Sequence, residues 1–447
     1  MSRLDVNSIR HTDGSADNIT LDGSKNVTCE NNLQVDGNLT VTGTIPADKL
    51  TGTAAAINGS NITNLPAANL TGTLPAISGA NLTNLPASGV NPNILHNPAF
   101  QVWQRGVTLT GCEVDTYTAD RWKQWGGAGG QSGRATYERS TDVPDSVATV
   151  ESMKISCTTT ETPGASEGYM IMQRLEGRDT HHLQWGTSNA KAVTISFWCK
   201  GDAAKTYTLS IFRSSSTDRT FTKTFNVTTS WSKVTITVPG DTSAAHSDIT
   251  QNSQINWKVM VGISLMQGTQ SATDNSWQNS GSGKYAVSGN DNFFESTDRR
   301  LYLAAMKMEI GSSATDFEQP DATLEQKRCE RYLEYVVRGN NDPIITGALF
   351  AGDMVTGVIP FRTMKRTTSP SMISAGGTDY LRLRYTYTGT GANNTIDGDN
   401  FNLQYKSETA AGVWFTGFDI GNNTTMGAGG LLYAINADVR LAFSSEL

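Results

Sequence analysis

Gly164-Ala165-Ser166-Glu167-Gly168 has the spacing of a hydrolase nucleophile elbow, in which a strand, a sharp turn and a helix present the serine to a base. The flanks do not supply that context. Thr158 to Pro163 is a polar, turn-like run, and Tyr169-Met170-Ile171-Met172 reads as a strand, so no catalytic serine is expected. His181 and His182 could ligate a metal, but neighbours on a strand point to opposite faces and no Glu-x-x-His spacing surrounds them, so surface histidines are expected. Glycoside hydrolysis needs two carboxyls facing each other across a cleft. Glu167, Glu176, Asp179, Glu295 and Asp298 give no ordered pair, and Gly283-Lys284 lacks the Ser or Thr and the upstream glycine of a phosphate loop. What remains is the chemistry of stacking and hydrogen bonding, in which Trp and Tyr rings meet the apolar C–H faces of sugars and Asn, Asp and Gln hold their hydroxyls.

Two segments have the residues for it. Trp277 lies in the polar run Ser271 to Tyr285, read as a loop between strands, with Asn275, Asn279 and Tyr285 beside it. The run from 389 to 400 offers Asn393, Asn394, Asp397 and Asp399. Packing competes with each reading: Trp277 as a lid over a sheet edge, and the second run as ordinary Asn-Gly and Asp-Gly turn chemistry. Asp397, Asp399 and Asn400 could offer calcium oxygen ligands, although their spacing does not complete an EF-hand loop; no metal and no cofactor is expected. Trp103, Trp122, Trp198 and Trp231 sit in strand-like runs and read as packing. Cys29, Cys112, Cys157, Cys199 and Cys329 are odd in number, with no C-x-x-C and no zinc spacing, so they read as free, partly buried thiols.

The elements that must position these side chains are mostly strands. From 91 to about 311, aromatic and β-branched residues alternate in Val193–Phe197, Tyr207–Ile211, Phe221–Val227, Val234–Val238, Trp257–Val261 and Tyr302–Ile310, the pattern of an antiparallel sandwich. One helix interrupts it. Thr323-Leu324-Glu325-Gln326 reads as a capping box, Leu324, Cys329, Tyr332, Leu333 and Val336 follow at helical spacing, and Gly339 is placed to end it. Short strands return at Tyr380–Tyr387, Gly412–Phe415 and Ala437–Leu441, giving a small distal β domain over 339–447 after a sandwich-plus-helix domain over 91–338.

The start of the chain has a different composition. None of the 14 Phe, 13 Tyr and 9 Trp falls before Phe100, so the first 99 residues lack core-filling side chains. Apolar pairs Ile19/Leu21, Val27/Cys29, Leu33/Val35 and Leu39/Val41, separated by turn residues, read as very short strands in a segment over 1–45. Residues 47–66 then align without gaps onto 67–86, with 13 of 20 positions identical. Leu50, Ile57, Ile62 and Leu65 recur as Leu70, Ile77, Leu82 and Leu85. A disordered linker has no need of regularly placed aliphatics, so 46–90 reads as a narrow shaft built from several chains, spanning at most about 150 Å.

Net charge is −7 without long single-sign runs, which argues against phosphate-backbone binding. No stretch of about 18 apolar residues is present, and Met1 to Val6 begins no apolar core of signal-peptide length. Nucleic acid and membrane insertion are therefore not expected, and the chain is expected to be made and assembled in a cytoplasm.

Asn93-Ile94-Leu95-His96-Asn97-Pro98-Ala99-Phe100-Gln101-Val102-Trp103-Gln104-Arg105-Gly106 and Tyr117-Thr118-Ala119-Asp120-Arg121-Trp122 are similar to the opening of a carbohydrate-binding-module-like sandwich found in bacteriophage tail fibres. Ile195-Ser196-Phe197-Trp198-Cys199-Lys200 resembles that family's central strand, with Cys199 where Ala is usual. Met306 to Glu318 resembles its closing strand, Leu324 with Cys329 to Tyr332 the helix behind it, and the repeats resemble fibre shafts. The resemblance implies a mainly β homotrimer with an extended N-terminal shaft. Its N-terminus would attach to a virion adaptor or tail protein, and its distal domains would meet a host surface glycan or protein. A structural, receptor-binding virion fibre that is no enzyme is the reading that follows. A polysaccharide-degrading tailspike would be expected to carry a long parallel β-helix, which 91–447 does not show. A secreted adhesin would need an export signal or anchor, and neither is seen in the sequence.

Overall fold

The computed structural model describes residues 8–9, 19–21, 27–29, 92–127, 131–214, 218–243, 256–281, 284–385, 395–418 and 427–447. The chain divides into two units, 1–82 and 83–447. In the first, β1 (Ser8–Ile9), β2 (Ile19–Leu21) and β3 (Val27–Cys29) form an antiparallel three-stranded sheet in which Ile9 pairs with Ile19 and Ile19 with Cys29. The strands expected at Ile19/Leu21 and Val27/Cys29 are these. Leu33/Val35, Leu39/Val41 and the repeat residues Leu50, Ile57, Ile62, Leu65, Leu70, Ile77, Leu82 and Leu85 lie outside the described residues.

In the second unit two six-stranded antiparallel sheets face each other. The first runs, edge to edge, β14 (Ser276–Asn279), β11 (Arg219–Val227), β10 (Lys205–Arg213), β13 (Trp257–Gln267), β8 (Gly168–Glu176) and β5 (Trp122–Gly127). The other runs β12 (Ser232–Val238), β9 (Val193–Gly201), β15 (Arg300–Ile310), β7 (Ser152–Thr159), β6 (Arg134–Ser140) and β4 (Thr108–Cys112). Strand alternation sends Tyr169, Ile171 and Leu175 of β8 inward to meet Ile195, Phe197 and Met308 across one continuous core. All six strands expected from alternation are present. The expected packing of Trp103 and Trp122 is also seen, at 7% and 1% exposure.

Four local expectations are corrected. Helix α2 covers Ala322–Glu330 and its N-cap is Asp321, whose Oδ1 accepts the Leu324 amide at 2.9 Å, so the cap lies two residues before Thr323. The helix stops well short of Gly339, because Leu333–Val337 is a strand (β16) paired with the last strand; Leu-Glu-Tyr-Val-Val carries the aromatic and β-branched side chains that a pleated surface favours. Leu324 is 62% exposed, and the face turned inward is Glu325, Cys329 and Glu330. Glu325 is buried because its Oε1 accepts the Asn97 amide at 2.6 Å, fixing a residue with φ of 49°. Finally, a four-residue helix α1 (Gly177–Thr180) leads into a 3-10 turn at His181–Leu183, so the two histidines are on a turn and not a strand, with rings 5.8 Å apart.

Beyond α2, a three-stranded sheet orders β16 (Leu333–Val337), β25 (Arg440–Ser444) and β19 (Ser371–Ala375). A seven-stranded sheet orders β21 (Thr395–Gly398), β20 (Leu381–Tyr385), β24 (Gly429–Ala434), β17 (Pro343–Ala351), β18 (Met354–Pro360), β23 (Ala410–Thr416) and β22 (Asn400–Lys406). Leu383, Val413, Phe415, Leu432 and Phe443 share a second core. The sandwich and this part are joined by buried charge. Glu176 at the end of β8 accepts from Arg331 at 2.9 and 3.0 Å and from the Tyr332 hydroxyl, and Glu446 accepts from Arg105 at 3.2 Å and from Arg121.

Candidate functional site

The outer face of the first sheet is unusual because it carries a second set of large side chains. Register places Thr220, Phe212, Met260 and Arg174 in one row across β11, β10, β13 and β8. The next row is Thr222, Ser210, Gly262 and Met172, and the one after it Thr224, Thr208, Ser264 and Met170, with Trp125 of β5 opposite Met170. Met170, Met172, Phe212, Met260 and Tyr285 form an apolar cluster on this face, with the half-buried Trp125 and Trp257 packed against it. A strand that is apolar on both faces must be covered on both.

The cover is the segment around Tyr285, and the sheet holds it by hydroxyls. The Tyr285 carbonyl accepts from Ser210 Oγ at 2.6 Å and Ser264 Oγ at 2.5 Å, its amide donates to Gln267 Oε1 at 3.1 Å, and the Val287 amide donates to Thr208 Oγ1 at 3.2 Å. The Tyr285 ring rests on two glycines. A Cβ added at Gly127 would lie 2.4 Å from Tyr285 Cε2, and one at Gly168 2.7 Å from Cδ2. Trp125 meets the Tyr285 ring edge-on at 5.0 Å and 78°, and Phe212 is 6.2 Å from it. Arg174 places its guanidinium 5.1 Å from the Trp257 ring centre.

Between these side chains lies a groove of about 450 Å³ lined by Trp125, Arg174, Phe212, Asp218, Trp257, Met260, Ser280, Gly281 and Tyr285. It combines aromatic walls with a cation, a carboxylate and a hydroxyl, the make-up of a small-molecule site. Of the residues singled out from sequence only Tyr285 is in it. The signal that could have located the rest was in β8, where Met170, Met172 and Arg174 alternate with Tyr169, Ile171 and Leu175.

Trp277 is elsewhere. Ser276–Asn279, expected as loop, is the edge strand β14, because Trp277 supplies a large apolar side chain that the open edge of β11 can pair and pack. Its ring meets Trp185 at 5.2 Å and Phe221 at 5.7 Å, and its Nε1 donates to the Pro239 carbonyl at 2.7 Å. Asn275 holds a turn at φ 56°, its amide donating to Thr222 O at 2.6 Å, and Asn279 Oδ1 accepts from Arg219 at 3.2 Å. In the distal part, Asn393 and Asn394 lie outside the described residues. Thr395–Gly398, expected as loop, is strand β21; its β-branched Thr395 and Ile396 pair with Arg384 and Leu383. Asp397 is paired with Arg382 at 2.5 and 2.7 Å, and Asp399 Oδ1 accepts the Asp379 amide at 2.8 Å, so the two carboxyls are used separately. Among the described residues no group of three or more His, Cys, Asp or Glu could hold a metal.

A second cavity is acidic, with Glu161, Glu167 and Glu295 on its wall. Each carboxylate has its own partner: the Gly133 amide at 2.7 Å, the Gly164 amide at 2.6 Å, and Lys205 with Arg299 at 2.6 and 3.2 Å. Ser166 accepts from Gln270 at 2.9 Å, and the chain after Gly168 is β8 and not a helix. A strand does precede the Gly-x-Ser-x-Gly run, since β7 extends to Thr159.

No protein-family model matches the chain, and no curated protein matches it. Among solved structures it is similar to a family 4 carbohydrate-binding module, at 17% identity over 48% of this chain and 98% of that one, with a TM-score of 0.26. A family 11 carbohydrate-binding module from Clostridium thermocellum, in complex with a β-1,3-1,4-mixed-linked tetrasaccharide, is 14% identical over 47% and 99%, with a TM-score of 0.24. The enzymatically active domain of a bacteriophage CBA120 tailspike protein is 9% identical over 49% of this chain and 21% of that one, with a TM-score of 0.26.

Proposed function

We propose that the protein is the receptor-facing part of a virion fibre that binds a host-surface glycan through the Trp125–Trp257–Tyr285 groove, without catalysis. The observation that carries the reading is the groove itself. Two half-buried tryptophans and a strapped tyrosine line a trough on a sheet face, within reach of charged and hydroxyl groups. Such rings stack on sugar C–H faces, and the sheet and its serine hydroxyls hold Tyr285 before any ligand arrives. Binding of labelled protein to host cells or their isolated surface polysaccharide tests this. Trp125→Ala with Trp257→Ala should lower affinity by about tenfold or more, from ~1 kcal/mol for each lost ring. Parent-like binding by the double variant, with its fold intact by circular dichroism, would refute the assignment.

The fibre part of the reading rests on the sequence. The repeated aliphatics from Leu50 to Leu85 have no aromatic core to join in their own segment, which supports a homotrimeric shaft. Three copies of a weak site would then act with avidity. Sedimentation of the full chain at micromolar concentration should give a trimer, and a stable monomer would end that part of the proposal. Residues 1–45 are assigned to attachment on the particle; loss of 1–30 should leave the 91–447 region folded but absent from virions.

A further inference from the structure

We infer that the groove selects a glycan bearing a carboxylate, and that Arg174 is the residue that reads it. This rests on the glycan-binding assignment of the groove and adds a ligand charge and an orientation. Arg174 stands in the row Phe212–Met260–Arg174 on the outer face of β8, where its row neighbours are apolar. Its guanidinium lies against the Trp257 ring, which engages one face of the planar group and leaves the N–H fork at its edge. Nε is buried and has no hydrogen-bond partner, and among the described residues no carboxylate lies within ion-pairing distance of Arg174. The guanidinium therefore lines the groove as a cation with no protein carboxylate to pair it among the described residues. A carboxylate matches that donor set, because a guanidinium grips it through two parallel bonds, whereas a neutral hydroxyl supplies a single weaker acceptor.

Asp218 is the counterargument within the groove, since it lines the same space. It directly precedes β11, however, and β10 and β13 separate that strand from β8. Three strand spacings put the two backbones about 14 Å apart. The backbone of Asp218 therefore stands at the opposite side of the groove from that of Arg174. A bound oligosaccharide would lie across the strands, with its acidic residue at the β8 end over Trp257 and a hydroxyl-bearing residue toward Ser280.

The test is a glycan array carrying hexuronate and sialylated oligosaccharides beside their neutral or carboxyl-reduced counterparts, probed with the full-length protein. Binding should concentrate on carboxylate-bearing glycans, and reduction of the carboxyl should weaken it by about tenfold to a hundredfold. The hexuronate and sialate arms show which acidic sugar is read. Arg174→Gln should lose the preference for the charged partner while keeping residual binding to the neutral one, and Trp125→Ala should weaken both. Equal binding of charged and reduced partners by the parent overturns the charge assignment and leaves the groove reading standing. Absence of binding to every glycan overturns both. If Arg174→Gln fails to fold, the charged-to-reduced ratio of the parent decides alone.

Discussion

Replacing Arg331 by Met should destabilise the protein by about 3–5 kcal/mol, because it strands a buried carboxylate. Glu176 is completely buried and Arg331 is 13% exposed, so solvent screens the pair weakly. Arg331 Nε donates to Oε1 at 2.9 Å and Nη2 to Oε2 at 3.0 Å, and Tyr332 supplies one further hydroxyl donor. Losing two charge-assisted bonds at roughly 1.5–3 kcal/mol each brackets the same range. Adding Glu176→Gln to Arg331→Met should recover about 2 kcal/mol or more, since both charges then leave together. Urea unfolding followed by tryptophan fluorescence, with the two single variants and the double, measures the cycle. A loss below about 1 kcal/mol, or a double variant equal to the sum of the singles, would refute the view that this pair joins the sandwich to the segment after α2.

Three further outcomes follow from buried groups. Burial pushes the Asp120 carboxyl up to about 6, against the opposing pull of Arg105 and the Gln104 donors. The folded state therefore keeps a proton that the unfolded state releases near pH 4, and stability from this group falls as pH rises from about 4 to 6, by about 3 kcal/mol. Asp120→Asn should flatten that part of the melting-temperature profile, and an unchanged slope would contradict it. Burial also pushes the Cys112, Cys157 and Cys199 thiols up to about 11 and Cys329 well above its ordinary value, so at pH 8 only about one of the first three in a thousand is thiolate. Peptide mapping after brief alkylation should find these four unmodified in native protein and modified in urea; rapid native labelling at any of them would count against their burial. Trp277→Ala should cost about 2–3 kcal/mol in stability through lost packing on Trp185 and Phe221, with glycan binding retained. Loss of binding at unchanged stability would return Trp277 to the list of ligand contacts.

Alternation determined the strands, because a side chain's face on a strand depends only on its parity. Val193–Phe197 and Phe221–Val227 could therefore be located from residue types alone. The turn residues around them, and the absence of aromatics before Phe100, separated the aromatic-rich part from the aromatic-free start for the same local reason. The end of α2 was not legible this way. Tyr332, Leu333 and Val336 fit a helical stripe as well as a strand, and the choice was made by β25, which lies about a hundred residues later in the chain and pairs with Leu333–Val337. Periodicity in one segment cannot report a partner that arrives from so far along the sequence.

The groove shows the same division. Trp125, Arg174, Phe212, Trp257 and Tyr285 come from four strands and a crossing segment, spread over 160 positions. Nothing in its local sequence distinguishes Trp257, at the head of a core strand, from a packed tryptophan, and the two-faced pattern of β8 marks Arg174 as lying on a covered face without saying what it meets. Trp277 looked more exposed because its neighbours are polar, yet edge pairing with β11 and the nearby Trp185 drew it into the packing. Sequence determined which residues could line a face. Only tertiary structure decided which faces met, because strand order and the covering segment bring distant rings to within about 5 Å of each other.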